Sequence, residues 1–309
     1  MNRRSAAVVA SFGLAVVALL AGLFVGEDLF RPTSVHAAEP GISRPPELAA
    51  DASPPTAAVS SPPAARSFAG LESEVTQLLD AADVSGGVTL TELSSNQSWS
   101  LNGDEIFVAA STYKLPVLMK DADDIAAGRS SSNDLLCYDS GDWEDGYFSD
   151  YEDGACYTRA ELDRRVGLYS DNTAAHMLVR YDGGSDALNA YARGHGAVNS
   201  EFYDPNTTTS NDLARLWQAE AEGMAGGGAA QTYLYPLLTN TIYEEGVPAG
   251  VPAGTTVVHK VGILDGELND AALVEGGPRG SYVLTVCTDG GSWQLIAEVA
   301  RAVAQFEAS

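Results

Sequence analysis

An α+β fold, one antiparallel sheet flanked by helices, is what this 309-residue sequence predicts. Two observations carry it. Segments of strand character cluster near both ends of the foldable part, and segments of helical period fill the middle. Strands from the two ends have to meet in one sheet, and the helices between them have to cover it.

Residues 1–38 open with Arg3 and Arg4, run through a long apolar stretch from Ala6 to Val25, and end on Val35-His36-Ala37-Ala38. That order of charge, apolar run and small residues is an export signal. The apolar run is also long enough to stay as a membrane anchor. Export with cleavage is favoured, and a retained anchor is the alternative. Residues 39–66 are rich in Pro, Ala and Ser without hydrophobic period, and read as a tether. The folded unit is expected over 67–309, about the size of one large domain.

Within it, Leu71, Val75, Leu78 and Leu79 set a first helix over Phe68 to Ala82. Gly87 to Leu93 and Gln97 to Leu101 read as paired strands around Ser94-Ser95-Asn96. A helix is expected from Ser111, with Pro116 tolerated because it falls in the first turns. Arg159 to Tyr169, Thr173 to Val179, Asp186 to Arg193 and Asn211 to Glu222 follow as helices, with a weaker one over Gln231 to Thr239. Thr255 to Lys260, Asp270 to Glu275 and Ser281 to Thr288 are strands. An amphipathic helix over Ser292 to Phe306 closes the chain.

The formal net charge is −25, and the first 38 residues contribute little of it. So acidic a surface is solvated and disfavours nucleic-acid backbones. There is no zinc spacing, phosphate-binding glycine loop or nucleotide motif, so neither metal nor cofactor is expected. A monomer is the expected state.

Chemistry concentrates in three short stretches. Ser111-Thr112-Tyr113-Lys114 is Ser-x-x-Lys, which on a helix puts hydroxyl and amine one turn apart on the same face. A serine hydroxyl needs a base within reach to become a nucleophile. A lysine serves only if burial or a nearby cation lowers its pKa. Ser170-Asp171-Asn172 opens another helical pattern, and Lys260-Val261-Gly262 ends a β-rich run. Ser-x-x-Lys, Ser-Asp-Asn and Lys-x-Gly, in that order, form the set used by active-site serine penicillin-recognising enzymes. Over about its last three quarters the chain resembles the class A β-lactamase family and its penicillin-binding relatives.

The resemblance implies the α+β fold just described, with the site between the sheet and an all-helical lobe. It implies attack by Ser111, proton acceptance by Lys114, relay through Ser170 to the leaving nitrogen, and a positive field from Lys260. Asn172 would bind the substrate's acylamido group, with Gly262 and Ile263 beside the substrate. The backbone N–H groups of Ser111 and Ile263 would form the oxyanion hole. A β-lactam or peptidoglycan-like small molecule would be the substrate.

Two departures stand out. The Ser170-to-Lys260 interval is short for class A, and the omega loop with its Glu-x-x-Leu-Asn signature is missing. Val198 to Pro205 leads straight into Asn206-Thr207-Thr208-Thr209, with Glu201 and Asp204 as the nearby acids. Glu267-Leu268-Asn269 looks similar but follows the Lys260 strand. Slow deacylation is therefore expected. In addition, Val261 replaces the usual Thr or Ser and cannot donate a hydrogen bond to a substrate carboxylate.

Cys137 and Cys156 bracket an insert and are expected to form a disulfide; Cys287, in an apolar strand, reads as a buried thiol. The insert carries Asp139, Asp142, Glu144, Asp145, Asp150, Glu152 and Asp153 with four aromatics and no basic residue. It reads as a solvated acidic loop at the mouth of the cleft, not as a calcium loop. His176 reads as a satisfied helix residue, and His259 is expected to point away from Lys260. Three functions stay open: a sluggish class A-like β-lactamase, a penicillin-binding D-Ala-D-Ala peptidase or esterase, and a non-catalytic tethered envelope module.

Overall fold

The structure, a computed structural model, describes residues 66–309. The export segment over 1–38 and the tether up to residue 65 lie outside the described residues. Arg66, assigned above to the tether, is docked on the folded body. Its guanidinium meets Glu92 at 3.0 Å and Glu307 at 3.2 Å, and lies 3.5 Å from the centre of the Phe306 ring.

The chain starts with α1 (Ala69–Ala82), β1 (Ser85–Glu92), β2 (Gln97–Leu101) and β3 (Phe107–Val108). A helical block then runs through α2 (Lys114–Ala126), the short strands β4 (Leu135–Cys137) and β5 (Cys156–Thr158), α3 (Arg159–Tyr169), α4 (Asn172–Tyr181) and α5 (Gly184–Gly194). Next come β6 (Thr207–Thr208), α6 (Ser210–Ala221), α7 (Gly227–Leu234) and the one-turn α8 (Val247–Gly250). The chain ends with β7 (Thr256–Leu264), β8 (Glu267–Gly277), β9 (Gly280–Asp289) and α9 (Trp293–Glu307).

Five strands form one antiparallel sheet in the order β2-β1-β9-β8-β7. Both faces are covered. On one face α1 and α9 bury Leu71, Val75, Ile296 and Val299 against Val88, Leu90, Leu284 and Val286. On the other, Val258, Ala271, Leu273 and Val283 join the core of the helical lobe. β1 is buried on both faces although its sequence, Val88-Thr89-Leu90-Thr91, alternates apolar and polar. Its polar side chains bond across the layer, Thr89 Oγ1 lying 2.9 Å from Ser210 Oγ.

Helix α2 is the axis of the lobe, with Leu115, Val117, Leu118, Met119 and Ala122 buried nearly all round. Thr158, Asp171, Thr209 and Ser292 cap α3, α4, α6 and α9, each side chain accepting a backbone N–H from the first turn.

Three boundaries differ from expectation. Ser111 lies in a 3-10 turn over Ala110–Tyr113, and α2 begins only at Lys114. The expected helix over Gln231 to Thr239 starts earlier, at Gly227, and tightens into a 3-10 turn over Tyr235–Leu237, where Pro236 cannot supply an α-helical N–H. The Lys260 strand continues to Leu264 and turns straight into β8. Asp265 and Gly266, at φ 47° and 101°, make the two-residue hairpin that an Asp-Gly pair favours.

Candidate functional site

The three motifs converge where the edge strand β7 meets the helical lobe. Ser111 sits in the first turn of its 3-10 helix, so its N–H belongs to the donors that such a turn leaves without an intrahelical partner. Ala110 before it adopts φ 47°, a left-handed conformation that a residue with a Cβ enters at a cost. Its carbonyl accepts a hydrogen bond from Asn206 Nδ2 at 2.9 Å. Asn269 of β8 donates to the carbonyls of Val108 at 2.8 Å and Ala109 at 3.2 Å. Two asparagines thus tie down the segment that carries Ser111.

Lys114, one turn on, is 0 % exposed. Its Nζ donates to Ser111 Oγ at 3.1 Å, to the Ser170 carbonyl at 2.5 Å and to Asn172 Oδ1 at 2.6 Å, and lies 3.4 Å from Ser170 Oγ. Burial pushes the ammonium pKa down to about 7, although the charges of Asp171 and Glu144 oppose the shift. Ser170 ends α3 in the left-handed region, at φ 58°, which reverses the chain before α4. Lys260, also buried, donates from Nζ to Ser170 Oγ at 2.9 Å and to the Val261 carbonyl at 3.0 Å. Burial lowers its pKa well below the usual lysine value; the charge of Lys114 adds to this and Asp270 opposes it. Ser170 is therefore bridged by two buried amines.

Gly262 is where β7 passes the Ser111 turn. A Cβ there would stand 2.6 Å from the Ala109 carbonyl oxygen and 3.1 Å from Thr112 Cγ2, so only glycine permits the approach. Ile263 follows on the same edge strand, exposed at the cleft. The cleft has a volume of about 280 Å³ and is lined by Ser111, Ser170, Asn172, Val261 and Ile263, with Gly146, Tyr147, Tyr169 and Tyr243 around them. The structure thus brings the sequence-assigned Ser111, Lys114, Ser170, Asn172, Lys260, Gly262 and Ile263 to one place. Tyr169 and Tyr243 had no sequence signal beyond Tyr169 preceding Ser170.

No carboxylate is among these lining residues. Glu201 is 52 % exposed and meets Arg193 at 3.4 Å, and Asp204 is exposed in the turn that follows. Glu267 belongs to β8 and is also absent from the cleft wall.

Six of the seven acids of the insert are exposed, as expected of a solvated loop, and only Asp142 is buried. Cys137 and Cys156 are disulfide-bonded where β4 and β5 pair, closing a strap over the mouth. The insert has no base of its own, and the helices beneath supply them. Arg180 holds buried Asp142 at 2.7 Å, and Arg165 holds Asp150 at 2.6 Å. Asp171, fully buried, accepts from Tyr151 Oη at 2.6 Å, Phe148 N at 2.9 Å and Ala174 N at 2.9 Å, linking strap to motif. Asn172 Nδ2 donates to Glu144 Oε1 at 3.1 Å and to the Asp145 carbonyl at 2.7 Å.

Among the described residues no cluster of ligating side chains could hold an ion. His259 is buried with Nδ1 2.9 Å from Asp270 and Nε2 3.3 Å from Glu244. Burial opposes its charge, but Asp270 and then Glu244 outweigh that and raise its pKa to about 9. Cys287 is a buried free thiol whose ionisation burial suppresses.

Comparison with known proteins places this arrangement. Beta-lactamase CTX-M-8 of Citrobacter amalonaticus is 28% identical over 242 residues, spanning 70% of this chain and 80% of that protein. The solved structure of PBP-A superposes with a TM-score of 0.74 at 26% identity, covering 81% of this chain and 100% of that one. A mutant of PBP-A, solved as its acyl-enzyme complex with penicillin G, superposes with a TM-score of 0.73 at 26% identity, covering 79% of this chain and 98% of that one. The model of the beta-lactamase enzyme family matches residues 70–306. With the fold, the match over nearly the whole described body and these relatives in agreement, the chain belongs to the beta-lactamase enzyme family.

Proposed function

We propose that this chain is a class A-like serine hydrolase that opens β-lactams through an acyl-enzyme on Ser111 and releases the product slowly. The observation that carries the reading is a buried amine within hydrogen-bond distance of Ser111 Oγ, with a pKa brought down to about 7. At neutral pH a substantial fraction of such an amine is uncharged and free to accept a proton.

Ser111 Oγ attacks the lactam carbonyl carbon as its proton passes to Lys114 Nζ. The new C–O bond forms and the carbonyl electrons move to oxygen. That oxyanion is received by the N–H groups of Ser111 and Ile263. Losing one such donor typically costs about two to three orders of magnitude in rate. Collapse breaks the C–N bond, and the ring nitrogen takes the proton of Ser170 Oγ, which Lys114 Nζ, 3.4 Å away, replaces with the one it took from Ser111. Lys260 Nζ, 2.9 Å from that hydroxyl, favours the oxygen as it gives up its proton. Hydrolysis of the ester then needs an activated water; no residue lining the cleft is a carboxylate, and the neighbouring Glu144 is engaged by Asn172 and His176. That supports slow deacylation.

A penicillin-binding peptidase or esterase is the second reading; of the two, Val261, which offers no hydroxyl to a substrate carboxylate, favours the esterase. The N-terminal export pattern and the disulfide support an extracytoplasmic location, with the signal cleaved or kept as an anchor. Among the described residues no helix is long and apolar enough to cross a membrane.

Intact mass followed over time after adding benzylpenicillin tests the proposal. A covalent adduct that forms on the wild type, is absent from Ser111→Ala and decays over minutes or longer is expected. No adduct, together with no loss of the drug, rules the hydrolase out.

A further inference from the structure

Both donor hydrogens of the Asn172 side-chain amide are in use, and its oxygen is engaged as well. Oδ1 receives Lys114 Nζ at 2.6 Å. The two Nδ2 hydrogens go to the Asp145 carbonyl at 2.7 Å and the Glu144 carboxylate at 3.1 Å. An acyl carbonyl entering the cleft next to Asn172 finds no free donor. The backbone carbonyl of Asp145 is fixed by the strap. The Glu144 side chain, 51 % exposed, is the partner that can move.

Glu144 is nevertheless held. Its Oε2 lies 2.8 Å from His176 Nε2 on α4. Its backbone N–H donates to Thr173 Oγ1 at 3.1 Å, and its carbonyl accepts from the same hydroxyl at 2.8 Å. His176 packs edge-on against Tyr203 with ring centres 5.1 Å apart. Glu144 is thus fixed beside the lining residue Asn172, its carboxylate by Asn172 and His176 and its backbone by Thr173.

We propose that Glu144, steadied by His176, is a specificity-determining residue that withholds the Asn172 amide donor from substrate carbonyls. The cleft then discriminates against β-lactams that rely on an acylamido carbonyl, and tolerates those presenting an N–H or ammonium group at that position, which Glu144 can accept. The inference rests on the hydrolase reading above. It deepens that reading by naming the substrate feature the site selects.

Two probes share one ring system: benzylpenicillin, which has the acylamido carbonyl, and 6-aminopenicillanic acid, which has a free amine in its place. Second-order acylation rates for both would be read by intact mass on wild type, Glu144→Ala and His176→Ala, with thermal unfolding as the fold control. Freeing one donor for a substrate carbonyl should raise the benzylpenicillin-to-amine rate ratio about tenfold in Glu144→Ala, the worth of a good hydrogen bond. His176→Ala should move the ratio the same way by less. A general loss of structure lowers both rates together and leaves the ratio alone. An unchanged ratio overturns the proposal. Calorimetric binding of the same two compounds in a Ser111→Ala background separates this from failure of the hydrolase reading. There, selective tightening for benzylpenicillin on adding Glu144→Ala supports the withheld donor even if Ser111 is never acylated. Absence of that tightening counts against it.

Discussion

Lys114 Nζ lies 3.1 Å from Ser111 Oγ while it also holds the Ser170 carbonyl and Asn172 Oδ1. Its pKa falls from the usual 10.5 to about 7, with burial as the cause. The sign follows from the chemistry: the neutral amine accepts the proton, so acylation increases as pH rises through about 7 and levels off above it. Acylation rates between pH 5.5 and 9 should fit one ionisation near 7. A flat profile would remove Lys114 as base. Lys114→Arg, charged at every accessible pH, should lower the rate by about two to four orders of magnitude.

Gly262→Ala tests the close approach of β7. Its Cβ would stand 2.6 Å from a backbone oxygen, which cannot rotate away. The strand must retreat from the Ser111 turn, separating Ile263 from Ser111. A displacement of about 1 Å costs on the order of a hundredfold in rate. The expected result is that loss of acylation with the fold retained by circular dichroism. Wild-type rates in the variant would show that β7 does not set the geometry.

Replacing both Cys137 and Cys156 with serine opens the strap at its stem. The residues lie 19 apart in sequence, and a cross-link closing a loop of about that length is worth roughly 3 kcal/mol in the loop-entropy model. For a domain of this size that is a fall in Tm of about 6–12 °C. Calorimetry of the oxidised protein and the double variant checks it. Equal midpoints would mean that the ion pairs of Asp142 and Asp150 and the hydrogen bonds to Asp171 and Asn172 hold the strap without the cross-link.

His259 gives stability a pH dependence of its own. Its folded pKa of about 9 is above the unfolded value near 6.5, through Asp270 and Glu244 and against the burial that opposes it. A raised cationic pKa stabilises fully below pH 6.5, and the contribution is lost as pH rises through 9. The difference in unfolding free energy between wild type and His259→Gln should therefore shrink across that window. A constant difference would show the imidazole to be uncharged throughout.

Much of the site was legible because its chemistry sits in three short motifs whose order survives in one dimension. Ser111 and Lys114 are one turn apart, and local spacing alone puts them together. The sheet was legible because Tyr282 to Cys287 and Val257 to Lys260 are β-rich runs between turn residues. What sequence could not supply were partners from distant segments. Asn206, just before β6, and Asn269, in β8, brace the Ser111 segment, and nothing local marks either role. The acidic insert read correctly as largely solvated, but its anchors, Arg165 and Arg180, were hidden because they lie on helices after it in the chain. Asp265-Gly266 did carry a hairpin signal, which would have extended β7 to Leu264.

Asp171 takes two hydrogen bonds from the strap and one from α4, so the middle residue of the Ser-Asp-Asn stretch is as much an anchor for the rim as a helix cap. The rim of this cleft is consequently not a cassette. A loop put in its place would have to reproduce the Tyr151 hydroxyl and the backbone N–H of residue 148 to satisfy a buried carboxylate, and a failure would surface at the turn between Ser170 and Asn172, at the heart of the chemistry.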